Sequence, residues 1–113
     1  MIYVIRILDQ PLVKIGVARN PVSRLRDLQV ASPFELVLVA TADWMDCAEA
    51  DIHLKLRDYH VRGAWFRLAG KVEELVAMMQ TGQPSLEEWL LDFRHGVVPS
   101  RLAKVYALAT TGK

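Results

Sequence analysis

The chain has 113 residues, enough for one domain with a buried core, and its 52% hydrophobic and 24% charged residues are usual for a globular protein. A net charge of +1 argues against a strongly basic protein that wraps a polyanion, although it permits a local basic patch. Because Cys47 is the one cysteine and no apolar run approaches the roughly 18 to 20 residues of a membrane span, we expect a cytoplasmic protein without disulfides or membrane contact.

The first elements predicted are two short strands. Residues 2–8 and 12–17 are rich in β-branched and aromatic side chains, and residues 9–11 (Asp-Gln-Pro) form a tight connection between them. This pattern predicts an antiparallel hairpin. Gly16 lies near the end of the second strand, where a glycine lets the backbone bend or come close to a ligand.

A helix and a third strand are predicted next. Asn20 suits the N-cap and Pro21 the first helical position, so the helix begins there and runs to about Val30. Residues 35–41 form a nearly continuous apolar run, which is typical of a buried central strand.

Two further helices and a short strand follow. Asp43 or Asp46 is expected to cap a helix that runs to about Tyr59. Residues 64–68 alternate loosely, which indicates a short edge strand. Residues 72–80 form a helix with glutamates in its first turn, where negative charge suits the helix dipole.

The C-terminal third differs in character, and we divide the chain into a domain at residues 1–82 and a helical extension at residues 83–113. Ser85 begins a capping-box helix that runs to about His95, and a second amphipathic segment covers residues 99–108. The first of these helices has an apolar face too large to leave exposed. It consists of Leu86, Trp89, Leu90 and Phe93. This face packs on the first domain, on a partner chain or on a neighbouring domain.

Two short signatures and two charged helix residues follow one another along the first half of the chain. Tyr3 lies in an Ile-Tyr-Val signature, and Lys14 and Gly16 lie in a Lys-Ile-Gly signature. Arg24 lies on the following helix, and Glu49 lies on the second helix. This ordered set, with Arg24 at the family's usual spacing, resembles the GIY-YIG nuclease superfamily. The resemblance covers about residues 1–68 and is carried by the whole set, since each tripeptide alone is weak.

The Lys-Ile-Gly signature is typical of a short branch that includes the meiotically up-regulated gene 113-like and phage T5 orf172-like domains. That branch also carries Arg-Leu and Leu-Gln on the first helix, a Glu followed four residues later by His, and a Gly-Glu-Trp-Phe ending. The corresponding residues here are Arg24-Leu25, Leu28-Gln29, Glu49 with His53, and Gly63-Ala64-Trp65-Phe66.

The resemblance implies an α/β (α+β) fold with a small, mainly antiparallel three-stranded sheet flanked by helices, followed by a C-terminal helical pair. It implies an endonuclease that depends on Mg²⁺ or Mn²⁺ and hydrolyses DNA, with branched and single-stranded forms both open. The implied catalytic residues are Tyr3, Lys14, Arg24 and His53; the substrate-binding residues are Gly16, Arg26 and Trp65; the metal ligand is Glu49.

Elementary chemistry supports these assignments. Phosphodiester hydrolysis needs a positioned water, a group that takes its proton, and positive charge where the phosphorane forms. Arg24 offers a planar fork that pairs with phosphate oxygens, and Glu49 is the hard oxygen donor that Mg²⁺ prefers. Lys14 is either a base with a depressed pKa or a charged phosphate contact. We favour the second role, because a bound phosphate would restore a pKa lowered by Arg24.

Two other readings stay open. One is a nucleic-acid-binding module that keeps the fold without cleaving, since Ala64 replaces the acidic residue of the branch and the charge is nearly neutral. The other is a protein-interaction or self-association unit built on the C-terminal helices.

His53 is either a substrate-side or a hydrogen-bonded structural histidine.

Overall fold

The computed structural model describes residues 1–91 as a five-stranded antiparallel sheet with helices on both faces, which confirms the predicted α/β class. The strands are β1 (Ile2–Ile7), β2 (Leu12–Val17), β3 (Leu36–Ala42), β4 (His60–Arg62) and β5 (Trp65–Arg67). The helices are α1 (Pro21–Ala31), α2 (Ala48–Lys55), α3 (Gly70–Thr81) and α4 (Leu86–Leu90), with a 3-10 turn at Arg57–Tyr59.

The sheet has the order β3-β1-β2-β5-β4, so it contains two strands more than the three expected. The predicted β1–β2 hairpin is confirmed. The segment expected as an edge strand is β5, which instead lies between β2 and β4. The chain reverses at Gly63, whose φ of 53° is in the left-handed region that favours glycine. β4 was not predicted, because its three residues are all exposed and show no alternation; it forms by pairing with β5.

The larger core lies on the sheet face covered by α2, α3 and α4. The strands contribute alternate residues to it, and the helices contribute their apolar stripes. Its fully buried members include Ile2, Val4, Val13, Ile15, Ile52, Leu56, Val72 and Leu75. Leu86, Trp89 and Leu90 belong to this core, so the apolar face of α4 packs on the domain. Phe93, the predicted continuation to His95 and the segment at 99–108 lie outside the described residues.

A smaller core lies on the opposite face, beneath α1. Tyr3, Ile5 and Leu36 are buried there, and Leu25 and Leu28 of α1 pack against them. Helix α1 therefore packs on the face of the sheet that carries the side chains of Tyr3 and Ile5.

The predicted helix starts at Asn20 and Ser85 are confirmed. The Asn20 side chain accepts from the Ser23 amide at 3.1 Å and Pro21 occupies the first position of α1. The Ser85 hydroxyl accepts from the Glu88 amide at 3.2 Å. Both side chains satisfy amides that the first helical turn leaves without a partner.

Helix α2 is shorter than expected at both ends. Neither Asp43 nor Asp46 caps it; the residue before the helix is Cys47, which makes no side-chain capping bond. At the other end the Tyr59 amide donates to the Leu56 carbonyl at 2.9 Å, which tightens the chain into the 3-10 turn. Among the described residues, no helix has the length and apolar character needed to cross a bilayer.

β3 is an edge strand, so the prediction of a buried central strand at residues 35–41 is wrong; β1 pairs with one side of it, and two glutamines occupy the other. The Leu36 amide donates to Gln29 Oε1 at 2.8 Å, and Gln80 Nε2 donates to the Val39 carbonyl at 3.2 Å. Gln29 Nε2 also donates to the Phe34 carbonyl at 2.9 Å, so one side chain ties α1 to the start of β3. An edge strand with open backbone groups invites pairing with another chain, and these amides remove part of that opportunity.

Candidate functional site

Four of the predicted site residues lie on one face of the sheet, beside α1. Tyr3 on β1 is directly opposite Gly16 on β2, and Lys14 on β2 is directly opposite Trp65 on β5. Directly opposed residues in antiparallel strands point to the same face, and so do residues two apart on one strand. The strand register therefore places Tyr3, Lys14, Gly16 and Trp65 together.

Gly16 is required by the side chain of Tyr3. A Cβ atom at position 16 would lie 2.4 Å from Tyr3 Oη and 2.6 Å from Tyr3 Cζ, distances that atoms do not occupy. The tyrosine ring thus lies across the backbone of Gly16, and only 2% of Tyr3 is exposed. Gly16 therefore permits the close approach of the Tyr3 ring, and the Tyr3 hydroxyl lies next to the Gly16 backbone.

The charges of two further predicted site residues, Arg24 and Glu49, change the pKa of Lys14. Partial burial lowers the pKa of Lys14 below its usual 10.5, and the positive charge of Arg24 lowers it further. The negative charge of Glu49 acts in the opposite direction and raises the pKa. Arg24 lies on α1 and Glu49 on α2, so charged side chains from helices on opposite faces of the sheet act at the same lysine.

Helix α2 reaches this position along the free edge of β2. The Ile15 amide donates to the Ala64 carbonyl at 3.0 Å, just before β5 begins at Trp65. The Ile15 carbonyl is paired by His53 Nε2 at 3.0 Å instead of by a strand. A carbonyl oxygen can only accept, so His53 Nε2 carries the proton and donates.

His53 thus makes a structural hydrogen bond, as the second of its two alternatives expects. Its ring also lies edge-on to Phe66, with 4.9 Å between the ring centroids. Glu49 precedes His53 by four residues on α2, so both side chains lie on the same side of the helix, next to the free edge of β2.

Glu49 provides a single carboxylate for a metal. Within residues 1–91, no three His, Cys, Asp or Glu side chains come close enough together to enclose an ion. That donor set excludes a closed structural zinc site, which needs four protein ligands. It fits Mg²⁺, which is usually bound by one or two carboxylates together with waters and substrate phosphate.

Arg26 is separated from these residues. It lines a groove of about 390 Å³ between α1 and β3, together with apolar side chains of both elements. Arg24 and Arg26 differ by two positions, which is roughly 200° around an α-helix, so they leave α1 on different sides. The charge of Arg24 thus acts on Lys14, whereas Arg26 lines the groove.

Sequence reasoning missed two participants in this arrangement. The Ile15 carbonyl that anchors His53 belongs to the backbone, so no residue type signals it. The sequence marks Gln29 only as part of the Leu-Gln pattern, whereas its hydrogen bonds with Phe34 and Leu36 connect α1, the helix of Arg24, to β3.

Comparison with known proteins gives one family. The model of the T5orf172 domain matches residues 1–82. No curated protein and no solved structure matched the chain.

Proposed function

We propose that this chain, which belongs to the T5orf172 domain family, hydrolyses phosphodiester bonds of DNA as a nuclease of the GIY-YIG type. The family favours a nuclease-like or DNA-binding role. The observation that carries the proposal is the strand register, which places Tyr3, Lys14 and Trp65 on one face of the sheet. The charges of Arg24 and Glu49 act at that lysine. Lys14 and Arg24 supply positive charge for the oxygens of the reacting phosphate, and Glu49 supplies a carboxylate. These three residues lie on three different elements.

The reaction forms one bond and breaks one bond at phosphorus. A water oxygen bonds to phosphorus, the bond from phosphorus to the leaving sugar oxygen breaks, the water loses a proton and the leaving oxygen gains one. Negative charge grows on the non-bridging oxygens. Arg24 pairs with those oxygens through its planar guanidinium, and Lys14 adds a second positive charge beside it.

Lys14 acts in this scheme as a phosphate contact. Burial and the charge of Arg24 lower the pKa of Lys14 in the free protein. A phosphate dianion or diester beside the ammonium opposes both effects, because a neighbouring negative charge favours the protonated form. Substrate binding therefore favours the protonated, charged form of Lys14.

Glu49 is the residue that would hold Mg²⁺ or Mn²⁺, with substrate oxygens and waters completing the coordination. When bound, the ion supplies positive charge at the phosphate and lowers the pKa of a coordinated water. The Tyr3 hydroxyl, beside the backbone of Gly16, orients the attacking water. Trp65, directly opposite Lys14, contacts the substrate next to the phosphate.

A nicking assay tests the proposal. Supercoiled plasmid and labelled single-stranded and branched oligonucleotides are incubated with the protein and Mg²⁺ or Mn²⁺. Loss of a preorganised charge typically costs about 100-fold or more in rate, so Arg24→Ala and Glu49→Gln should each lower cleavage by that factor. Glu74→Gln, which removes an exposed carboxylate on α3, is the matched control. Wild-type cleavage by both site variants would refute the assignment.

A nucleic-acid-binding module without hydrolysis is the second candidate, and the burial of Tyr3 favours it, because only 2% of that side chain is exposed. The same preparation distinguishes the two. Salt-sensitive DNA binding that needs Lys14 and Arg24, with no nicking in either metal, would establish the binding module, because phosphate contacts weaken steeply as salt rises.

A further inference from the structure

One lysine in the last turn of α2, Lys55, makes polar contacts with α4. Lys55 Nζ donates to the Trp89 carbonyl. The same ammonium lies 4.0 Å from the centroid of the Trp89 ring, which is a cation–π contact. Lys55 thus holds both the backbone and the side chain of a single residue of α4.

The apolar side of α4 covers the inner side of α2. Leu86, Trp89 and Leu90 are 4%, 5% and 1% exposed, and they lie in the same core as Ile52 and Leu56. Residues 83–91 follow the matched family domain, which ends at residue 82. The face of α2 that carries no site residue is therefore covered by a part of the chain beyond the family domain.

Helix α2 has little stability of its own. It contains eight residues and lacks a side-chain cap at its N-terminus. Isolated helices shorter than about 12 to 15 residues are marginal in water, so tertiary contacts must set the position of α2. Besides its apolar packing in the larger core, α2 makes polar contacts at two places. His53 binds the Ile15 carbonyl at the β2 edge, and Lys55 binds α4 at the C-terminal end.

We infer that α4 is a positioning element for Glu49 and His53, acting through the Lys55–Trp89 contact and the shared core. The role in catalysis rests on the proposed function, whereas the role in placing α2 does not. Loss of the contact would let α2 move relative to β2, and Glu49 would leave the position from which it acts on Lys14. Arg24 and Lys14 lie on other elements, so phosphate binding would be retained.

Lys55→Met tests this inference, because methionine keeps much of the apolar stem and removes both the charge and the donor. At saturating DNA, we expect kcat to fall and the Mg²⁺ concentration for half-maximal cleavage to rise about 10-fold, the effect typical of losing support behind a metal ligand. The Kd for DNA without metal should stay unchanged. Lys55→Arg, which retains the charge and a donor, should recover most of the loss.

The histidines provide a second readout that does not depend on cleavage. His53 and His60 both lie edge-on to Phe66, with centroid distances of 4.9 and 5.5 Å, but only His53 lies on α2. In NMR spectra of the imidazole groups, Lys55→Met should shift the His53 signals and leave those of His60 in place. Lys71→Met on α3 removes a lysine elsewhere and should change neither.

The outcomes separate the two claims. If Lys55→Met lowers only Tm, with His53 signals and metal dependence as in wild type, Lys55 is a stabilising contact and the inference is wrong. If wild type does not cleave DNA, the proposed function fails, and the His53 signals alone decide whether α4 positions α2. Should Lys55→Met not fold, Trp89→Phe keeps an aromatic ring and the carbonyl, and smaller shifts in the same direction are expected.

Discussion

Gly16 and Tyr3 form the contact on which the geometry of the site depends. The tyrosine ring occupies the space that a side chain at position 16 would need, and both residues lie on the face that carries Lys14. A glycine in a strand is normally a weakness, because it adds backbone entropy to the unfolded chain and no packing. Here it allows an aromatic ring to cross the neighbouring strand.

Gly16→Ala should therefore be destabilising. The new methyl group would have to displace the Tyr3 ring, and overpacking of this kind typically costs about 1–3 kcal/mol in the free energy of unfolding. Urea denaturation of Gly16→Ala in wild-type and Tyr3→Phe backgrounds measures the coupling. The loss should be smaller with phenylalanine, since the nearest clashing atom, Tyr3 Oη at 2.4 Å, is absent. Equal losses in both backgrounds would show that the hydroxyl does not limit the space.

Lys14 makes stability depend on pH in a defined direction. Burial and Arg24 lower the pKa of Lys14 in the folded protein below 10.5, the value expected in the unfolded chain. Below the folded pKa both states hold the proton, and the folded state carries the full cost of the buried charge. As pH rises through the folded pKa towards about 10.5, the folded state loses its proton first, so stability increases.

The free energy of unfolding of wild type should accordingly rise relative to that of Lys14→Met as pH increases from neutral towards about 10.5. Paired denaturation curves at each pH measure the difference, and groups common to both proteins cancel. A difference that stays constant, or falls, over this range would contradict a lowered pKa for Lys14.

At the scale of the elements, the edge of β3 shows how helices protect the sheet. β3 has seven residues and no charged side chain, which makes it a candidate for pairing with another chain. Gln29 of α1 binds the Leu36 amide and Gln80 of α3 binds the Val39 carbonyl. Each helix adjacent to β3 thus contributes one amide that occupies a backbone group on the edge.

Replacing both glutamines by alanine should promote self-association through β3. The double variant Gln29→Ala/Gln80→Ala exposes one amide and one carbonyl of an uncharged edge strand. We expect a concentration-dependent increase in mass by analytical ultracentrifugation. Glu73→Ala/Glu74→Ala, at exposed positions of α3, is the control for loss of surface polarity. If the glutamine variant sediments like wild type at the same concentrations, the amides do not protect the edge.

For the whole molecule, α4 extends the folded unit beyond the family domain. The family model ends at residue 82, yet Leu86, Trp89 and Leu90 complete the larger core. Of the three places where the apolar face of this helix could pack, the structure shows the domain itself. A partner chain or neighbouring domain is not needed to cover these residues.

A chain that ends at residue 82 should be less stable than one that ends at residue 91. The shorter chain exposes the apolar residues of α2 and α3 that α4 covers, so we expect a lower Tm and more light scattering on heating. The chain ending at residue 91 is the matched comparison, because the two differ only by the α4 segment. Equal Tm and scattering would show that α4 adds nothing to the core.

Local signals predicted much of the fold. The β1–β2 hairpin and the helix starts at Asn20 and Ser85 follow from residue types within a few positions, and all three are confirmed. Of the β4–β5 hairpin only β5 was predicted, since the three residues of β4 are all exposed and carry no readable alternation. The length of α2 was overestimated because its limits are set by packing and by the turn at Tyr59, without a capping side chain.

The sequence by itself determined the α/β class, the residue types for phosphate chemistry and their order along the chain, because these depend on local patterns. Only the tertiary structure decided which of those residues meet. Strand register placed Lys14 beside Trp65 and Tyr3 across Gly16. Helix packing brought the charges of Arg24 and Glu49 to Lys14 and left Arg26 at a separate groove. Register and packing depend on contacts between distant segments, for which a single sequence carries no periodic signal.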